Sequence, residues 1–328
     1  GNSRLLLVFN PNVTTGYAAN SMKSPRFKKF RLSSLNAENV VSKKNIIPGQ
    51  VDYEWVADKV NAWAQKISPN EYDEGRGDFE WEGDYFTPND LFRVKVLGMF
   101  PKVSEDTLIP YEWCEIAHKR WEELKDSGFI THKPIRLGVD VAGMGRDRSC
   151  FIARQGNYVS EIKCHNSGGR ADHMAVAGVV ANYLKANHRN KAFIDTIGEG
   201  AGVYSRLIEQ KYSNAFSCKF SQGVKNKNDI TGCYTFANMR AYLFWCIRDW
   251  LNPKNGFYAA LPPDDELDQE LCEPHWLFQS DGSIIIESKD LIKARLKRSP
   301  DKMDALANTF YPFDYDKDND KQLLNSVV

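Results

Sequence analysis

PIRLGVDVAGMGRDRSCFIARQGNYVSEIKC, residues 134–164, is the stretch on which the fold turns. Ile135, Leu137, Val139 and Val141 alternate with Arg136, Gly138 and Asp140, the period of two that marks a strand. A glycine-containing turn leads into a second strand, Ser149 to Arg154. Gly156-Asn157 makes a tight turn, and Tyr158 to Cys164 is the third strand. Three strands joined by short turns predict an antiparallel meander.

Downstream, residues 171–187 carry Met174, Val176, Val179, Val180 and Leu184 at helical spacing. Ala192-Phe193-Ile194 is a short buried strand ending at Asp195. Residues 202–212 read as a helix and Phe216 to Phe220 as a further strand. The order predicts an α/β domain, a mixed five-stranded sheet with flanking helices, over residues 134–313. Phe236 to Leu251 is a long helix whose Tyr242, Trp245 and Trp250 read as core. Ser283 to Glu287 is a brief strand and Leu291 to Leu296 a helix. Ser299 then caps a final helix with Pro300 in its first turn.

Upstream, Leu5-Leu6-Leu7-Val8-Phe9 is an apolar run halted by Asn10-Pro11, the pattern of a fully buried parallel strand. Phe27 to Leu32 alternates basic and apolar residues as a second strand would. Trp55, Val56, Val60, Trp63 and Ile67 predict a helix over Asp52 to Ile67, and Asp90 to Val96 another. The acidic, glycine-containing residues 70–84 read as a mobile loop. Residues 101–133 form a connector with a helix that Pro110 starts and Gly128 ends. The acidic residues 314–328 read as a disordered tail.

The 328 residues are 42% hydrophobic, 26% charged and 12% aromatic, an ordinary globular composition. The 43 basic and 43 acidic side chains balance, which argues against a purely electrostatic nucleic-acid coat but allows a local basic groove. Seven cysteines without a CxxC pair predict reduced thiols rather than a zinc cluster or disulfide framework. No apolar run approaches the roughly 20 residues that span a bilayer. The chain opens at Gly1 without an initiator Met and is expected to begin inside a longer protein.

Asp140 lies on the first strand among apolar neighbours, Asp195 ends the fourth, and Asp304 stands in the first turns of the last helix. Asp301, three residues before Asp304, shares its helix face. A lone buried carboxylate costs several kcal/mol, and each of these could instead be a satisfied acceptor or a helix-terminal acid. Strand ends beside a helix can bring them together, and clustered carboxylates suit a hard divalent cation. Two such ions about 4 Å apart can drive in-line phosphodiester hydrolysis. The strand order fits the ribonuclease H-like fold.

LGVDVAGMGRDRS (137–149), FIDTIGEGAG (193–202), SPDKMDALANTF (299–310), FANMRAYLFWCIRDWL (236–251) and DLFRVKVLGMFPKVSEDTLIP (90–110) together resemble the large terminase subunit of tailed bacteriophages. The resemblance implies that Asp140, Asp195 and Asp304 hold two catalytic Mg2+ or Mn2+ ions, with Asp147 an auxiliary ligand. RLLLVFNPN (4–12) resembles the end of the packaging ATPase, with Asn10 and Pro11 as its coupling segment. The implied organisation is residues 1–100 as the last part of a P-loop-type ATPase domain and 101–133 as connector. The nuclease occupies 134–313. No GxxxxGK[ST] loop occurs, so no ATPase activity is expected, and GEGAG at 198–202 reads as a close-packing turn.

The expected activity is endonucleolytic cleavage of double-stranded viral DNA during packaging, in the cytoplasm of a bacterial host. A small terminase subunit and a portal ring are the implied partners, with possible oligomerisation on the portal and no membrane. Lys219, Lys225 and Lys227, beside a possible hairpin, are candidate backbone contacts, as are Lys293, Arg295, Lys297 and Arg298. His132, His165, His173, His188 and His275 have no triad-like setting and read as structural. A junction resolvase, a transposase-like nuclease and a non-catalytic assembly module of the motor stay open as alternatives.

Overall fold

The computed structural model describes residues 4–11, 16–102, 106–143, 148–166 and 172–312. It divides into two units. One comprises Gly1–Glu105, Pro110–Glu115 and Arg295–Lys297, and the other Asp106–Ile109, Ile116–Ala294 and Arg298–Val328.

The first unit contains α1 (Gly16–Lys23), α2 (Glu38–Val41), α3 (Tyr53–Trp63), β1 (Ala64–Ile67), β2 (Phe79–Trp81), β3 (Asp84–Pro88) and α4 (Asp90–Lys95). The Asp52 side chain caps α3 by accepting from the Trp55 N–H at 2.8 Å. The predicted helix stops at Trp63 because Ala64–Ile67 pairs antiparallel with β3 instead. The acidic stretch read as a loop is folded as well. Glu82 (φ 52°) and Gly83 (φ 81°) turn β2 into β3, the left-handed pair that a two-residue hairpin needs. Phe79 stacks on Phe92 at 4.5 Å beneath it.

The two strands expected at Leu5 to Phe9 and Phe27 to Leu32 do not form. Leu6 is 82% exposed and Leu32 86% exposed. Apolar residues make a strand only where a ladder partner takes their backbone groups, and neither segment belongs to a sheet.

The second unit carries α5 (Tyr111–Asp126), whose first turn belongs to the first unit. It continues with β4 (Arg136–Asp140), β5 (Arg148–Gln155), β6 (Tyr158–Asn166), α6 (His173–Ala186), β7 (Lys191–Asp195), α7 (Gly200–Glu209) and β8 (Ala215–Cys218). Then come α8 (Met239–Leu251), α9 (Asp265–Cys272), β9 (Trp276–Phe278), β10 (Ile284–Ile286), α10 (Lys289–Leu296) and α11 (Asp301–Asn308). The sheet order is β6-β5-β4-β7-β8. β5 runs antiparallel to both β4 and β6, while β4–β7 and β7–β8 are parallel. This is the predicted mixed five-stranded sheet.

Alternation assigns the two faces. Leu137, Val139, Phe151, Ala153, Ala192 and Ile194 pack with Val176, Val180, Leu184, Val203 and Leu207 of α6 and α7. Arg136, Gly138, Asp140 and Asp195 therefore point to the opposite face. α11 is seated there. A Cβ on Gly138 would lie 1.8 Å from the Ala305 carbonyl oxygen. The Asn308 amide donates to the Val139 carbonyl at 2.9 Å. Arg136 and Arg154 both donate to the Thr309 carbonyl at 2.7 Å.

Two further expectations change. Cys150 and Cys164 stand directly opposite on β5 and β6 and form a disulfide, where reduced thiols were expected. Facing positions of an antiparallel pair bring Cα atoms within disulfide reach, which a spacing of 14 residues does not reveal. The last helix starts at Asp301, with Pro300 rather than Ser299 at the N-cap and no side-chain cap bond from that residue. Among the described residues no helix is long and apolar enough to cross a membrane. Residues 314–328 lie outside the described residues.

Candidate metal centre

Asp140 ends β4 and Asp195 ends β7. These strands are parallel neighbours in the register Val139↔Ile194, so both carboxyl groups leave the sheet at the same edge and on the α11 face. α11 places Asp301 and Asp304 in its first turn, 5% and 2% exposed. The electrostatics record their proximity. Burial pushes the Asp140 carboxyl well above the usual range, and the charges of Asp304, Asp301 and Asp195 add to that push, while Lys289 opposes it. Burial raises Asp195 to about 6. The Ile197 N–H, donating at 3.0 Å, pulls it back and Asp304 pushes it up again.

Lys289 supplies a positive charge in direct contact. Its ammonium donates to Asp304 Oδ2 at 2.5 Å. Burial works against that charge, but Asp304, Asp140 and Asp301 together hold the ammonium protonated. Asp304 Oδ1 is buried with no hydrogen-bond partner among the described residues. Arg240 of α8 adds a nearby guanidinium, which donates to the Glu287 carbonyl at 2.8 Å and stacks on Phe244 at 4.6 Å. Burial lowers its pKa and the Asp304 charge raises it.

Among the described residues, no three His, Cys, Asp or Glu side chains are drawn close enough to hold a metal ion. The chemistry of the set nevertheless fits a hard divalent cation. All donors are carboxylate oxygens, burial and then mutual repulsion suppress the ionisation of Asp140, and one buried oxygen has no hydrogen-bond partner among the described residues. Asp147 lies outside the described residues.

The neighbouring turn is built tightly. Gly198 has φ 92°, and a Cβ on Gly200 would lie 1.8 Å from the Asp195 carbonyl oxygen. The expected close packing holds at Gly200, but only Gly198-Glu199 form the turn, and Gly200–Gly202 already open α7. Behind α11 runs an ionic network. Arg148 pairs with Glu266 at 2.5 Å, and Lys302 with Asp264 at 2.7 Å and Glu266 at 2.8 Å. Arg298 pairs with Glu266 at 3.3 Å and with Glu270. Burial pushes Glu270 up and Arg298 draws it down, leaving the carboxyl at about 8.

The basic candidates separate by placement. Lys219 is exposed and follows Cys218, the register partner of Asp195. Lys225 is exposed and Lys227 half-buried ahead of a short turn closed by the Asn228↔Thr235 bridge. Lys293 and Arg295 are half-buried on α10. Lys297 donates instead to the Asn61 and Ala64 carbonyls, at 2.7 and 3.1 Å within the first unit. Arg298 is turned into the Glu266–Glu270 network. Asn10 is exposed and Pro11 buried. His173 pairs with Glu199 at 2.7 Å.

Sequence reasoning did not single out Lys289, Arg240 or Glu270. Lys289 is one of five basic residues at 289–298. Nothing in local spacing tells which of them folds back onto Asp304.

No protein-family model matches the sequence. No curated protein matches it either. Solved structures do. The nuclease domain of the large terminase subunit gp2 of bacterial virus Sf6 is 19% identical, with a TM-score of 0.50, over 63% of this chain and 100% of that one. A mutant of that domain solved with manganese and beta-thujaplicinol gives the same values. A mutant solved with calcium gives a TM-score of 0.51 at 18% identity and the same coverage. At such identities the likeness is one of fold: this chain shares an α/β architecture, with a mixed five-stranded sheet, with that domain.

Proposed function

We propose that this chain is a divalent-metal-dependent endonuclease that cleaves double-stranded viral DNA during genome packaging. The observation that carries this is the convergence of Asp140, Asp195 and Asp304 on one sheet face, with Asp304 Oδ1 buried and unpartnered. The fold likeness to a terminase nuclease domain, in one case solved with manganese, supports it.

Asp140, Asp195 and Asp304 would hold two Mg2+ or Mn2+ ions, with Asp301 and Asp147 as auxiliary oxygens. Bound divalent ions supply an activated water and offset charge on the phosphoryl oxygens. The chain's own groups do the rest. Ile197 fixes one Asp195 oxygen through its N–H. Lys289 holds Asp304 in place and keeps part of the acidic charge balanced. Lys219, Lys225, Lys227, Lys293 and Arg295 would track the DNA backbone, a contact that positions without reading sequence. Lys297 and Arg298 spend their charge inside the protein. Residues 1–100, with Asn10-Pro11, would be the end of a packaging ATPase that does not hydrolyse ATP in this chain. A small terminase subunit and a portal ring would be its partners.

The test is nicking of supercoiled plasmid in Mn2+ or Mg2+. The wild type should nick and Asp140→Ala should not, and full activity in a carefully purified mutant overturns the proposal. Calorimetric titration with Mn2+ checks the centre itself. Absence of binding below millimolar concentration would favour the non-catalytic assembly reading.

A further inference from the structure

We infer that Glu270 is a positioning residue for this centre, capping α11 from a different helix and so fixing where Asp301 and Asp304 stand. The inference rests on the proposed nuclease reading for its functional consequence and on geometry alone for its mechanism.

The first turn of any helix leaves backbone N–H groups without intrahelical partners, and a side-chain oxygen from the N-cap residue normally accepts one of them at the second or third position. α11 begins at Asp301 after Pro300, which has no side-chain oxygen to offer. Glu270 takes that role. Its Oε2 accepts from the N–H of Met303, the third residue of α11, at 2.8 Å. Met303 immediately precedes Asp304, whose own N–H closes the first turn onto the Pro300 carbonyl at 3.0 Å.

The other Glu270 oxygen is gripped by Arg298. That guanidinium is anchored on α9 itself, donating to the Glu266 carbonyl at 3.1 Å and to Gln269 Oε1 at 3.2 Å. Arg298 therefore fixes the rotamer of Glu270, and Glu270 fixes the first turn of α11. The burial is complete: Glu270 is 0% exposed and Met303 0%. Placing a carboxyl in the interior near Asp301 costs free energy unless it is paired and hydrogen-bonded. The cap bond and the Arg298 pair account for both of its oxygens.

Groups that hold a metal ligand in place typically change metal affinity by about 10- to 100-fold when removed. The informative variant is the double substitution Glu270→Met with Arg298→Met. It fills the space of the ion pair with apolar side chains, a replacement that buried pairs often tolerate, and leaves Met303 uncapped. E270Q keeps an oxygen for the Met303 N–H. In the full-length protein, the Mn2+ concentration for half-maximal plasmid nicking should rise about 10-fold or more in the double variant. KM for DNA should be unchanged, and E270Q should stay near wild type. Amide exchange in the first turn of α11 should accelerate in the double variant and not in E270Q. A folded double variant with the wild-type Mn2+ midpoint and wild-type exchange at Met303 overturns the role of Glu270 and leaves the nuclease reading standing. Wild-type nicking by Asp140→Ala sinks the nuclease reading, and the exchange result still decides whether Glu270 caps α11.

Discussion

A single methyl group at position 138, on the same sheet face as Asp140, should disable the centre. In Gly138→Ala the new Cβ would stand 1.8 Å from the Ala305 carbonyl oxygen, 3.0 Å from its carbon and 2.9 Å from Thr309 Cγ2. Favourable non-bonded carbon contacts lie near 3.5 Å, so α11 must retreat from β4 by roughly 1.5 Å. The obstacle is helix backbone, pinned by Asn308 on Val139 and by Arg136 and Arg154 on Thr309. It cannot rotate aside as a side chain would. Overpacking of this kind costs about 1–3 kcal/mol, and a clash with pinned backbone belongs at the upper end. The retreat carries Asp304 away from Asp140, and a displacement of about 1 Å can cost on the order of 100-fold in rate. Gly138 does not have a positive φ, so the whole effect is steric. Urea unfolding followed by circular dichroism reads the stability, and plasmid nicking in Mn2+ reads the rate. Gly178→Ala is the control. It lies within α6 with nothing within 4 Å of its would-be Cβ, and should gain about 0.5–1 kcal/mol. A Gly138→Ala protein with wild-type urea midpoint and wild-type nicking would refute the seating of α11 on β4.

Acid should weaken the network behind α11. Burial pushes Glu266 up, but the bonds from Arg148 and Lys302 and the charge of Arg298 prevail and lower it from 4.5 to about 2. A folded pKa below the unfolded one gives stability that is present above pH 4.5 and lost as pH falls toward about 2. The loss should be at most about 3 kcal/mol. Glu266→Gln should flatten that acid limb in urea midpoints taken from neutral to low pH, and an identical limb in the variant counts against the network. For DNA contact, Lys219→Ala and Lys225→Ala should each reduce the slope of log affinity against log salt by about 1. Lys297→Ala should leave that slope unchanged, because its ammonium is bound to the Asn61 and Ala64 carbonyls. Equal slopes for all three would undo the assignment.

Period-two alternation made the central sheet legible, because one face of β4, β5 and β7 is buried against α6 and α7. Leu137, Val139, Ala192 and Ile194 had to point the same way. Strand parity then carried Asp140 and Asp195 to the opposite face. In the first unit a different signal, a continuous apolar run, misled. Leu5 to Phe9 has the composition of a buried strand, yet composition does not supply a ladder partner, and the run is exposed. The β2–β3 hairpin was hidden for the converse reason. Its strands are short and acidic, and its turn is marked only by Glu82-Gly83. Contacts between residues distant in sequence were illegible throughout: Lys289 with Asp304, Glu270 with Met303, and Cys150 with Cys164.

The parity of the strands has an electrostatic consequence that bears on what this face can be. β4 and β7 could have ended in apolar residues on the α11 side, as they do on the α6–α7 side, and α11 would then have sealed an ordinary core. Instead Asp140 and Asp195 share that face with Asp301 and Asp304, and the first-turn acids of α11 cannot retreat while Asn308, Thr309 and Met303 hold the helix down. Lys289 balances one charge directly. The remainder is accommodated by raising Asp140 and Asp195 toward their neutral forms, a cost that grows as pH rises above about 6 for Asp195. A face that binds nothing gains no stability from this arrangement, because apolar side chains of similar size would serve the packing as well. A hard divalent cation removes the cost at its source, since it favours the ionised form of every acid around it. The rigid seat of α11 and the charge excess at the sheet edge are therefore two halves of one requirement. On the proposed reading, the helix is held firmly enough that repulsion does not disperse the carboxylates before a cation binds.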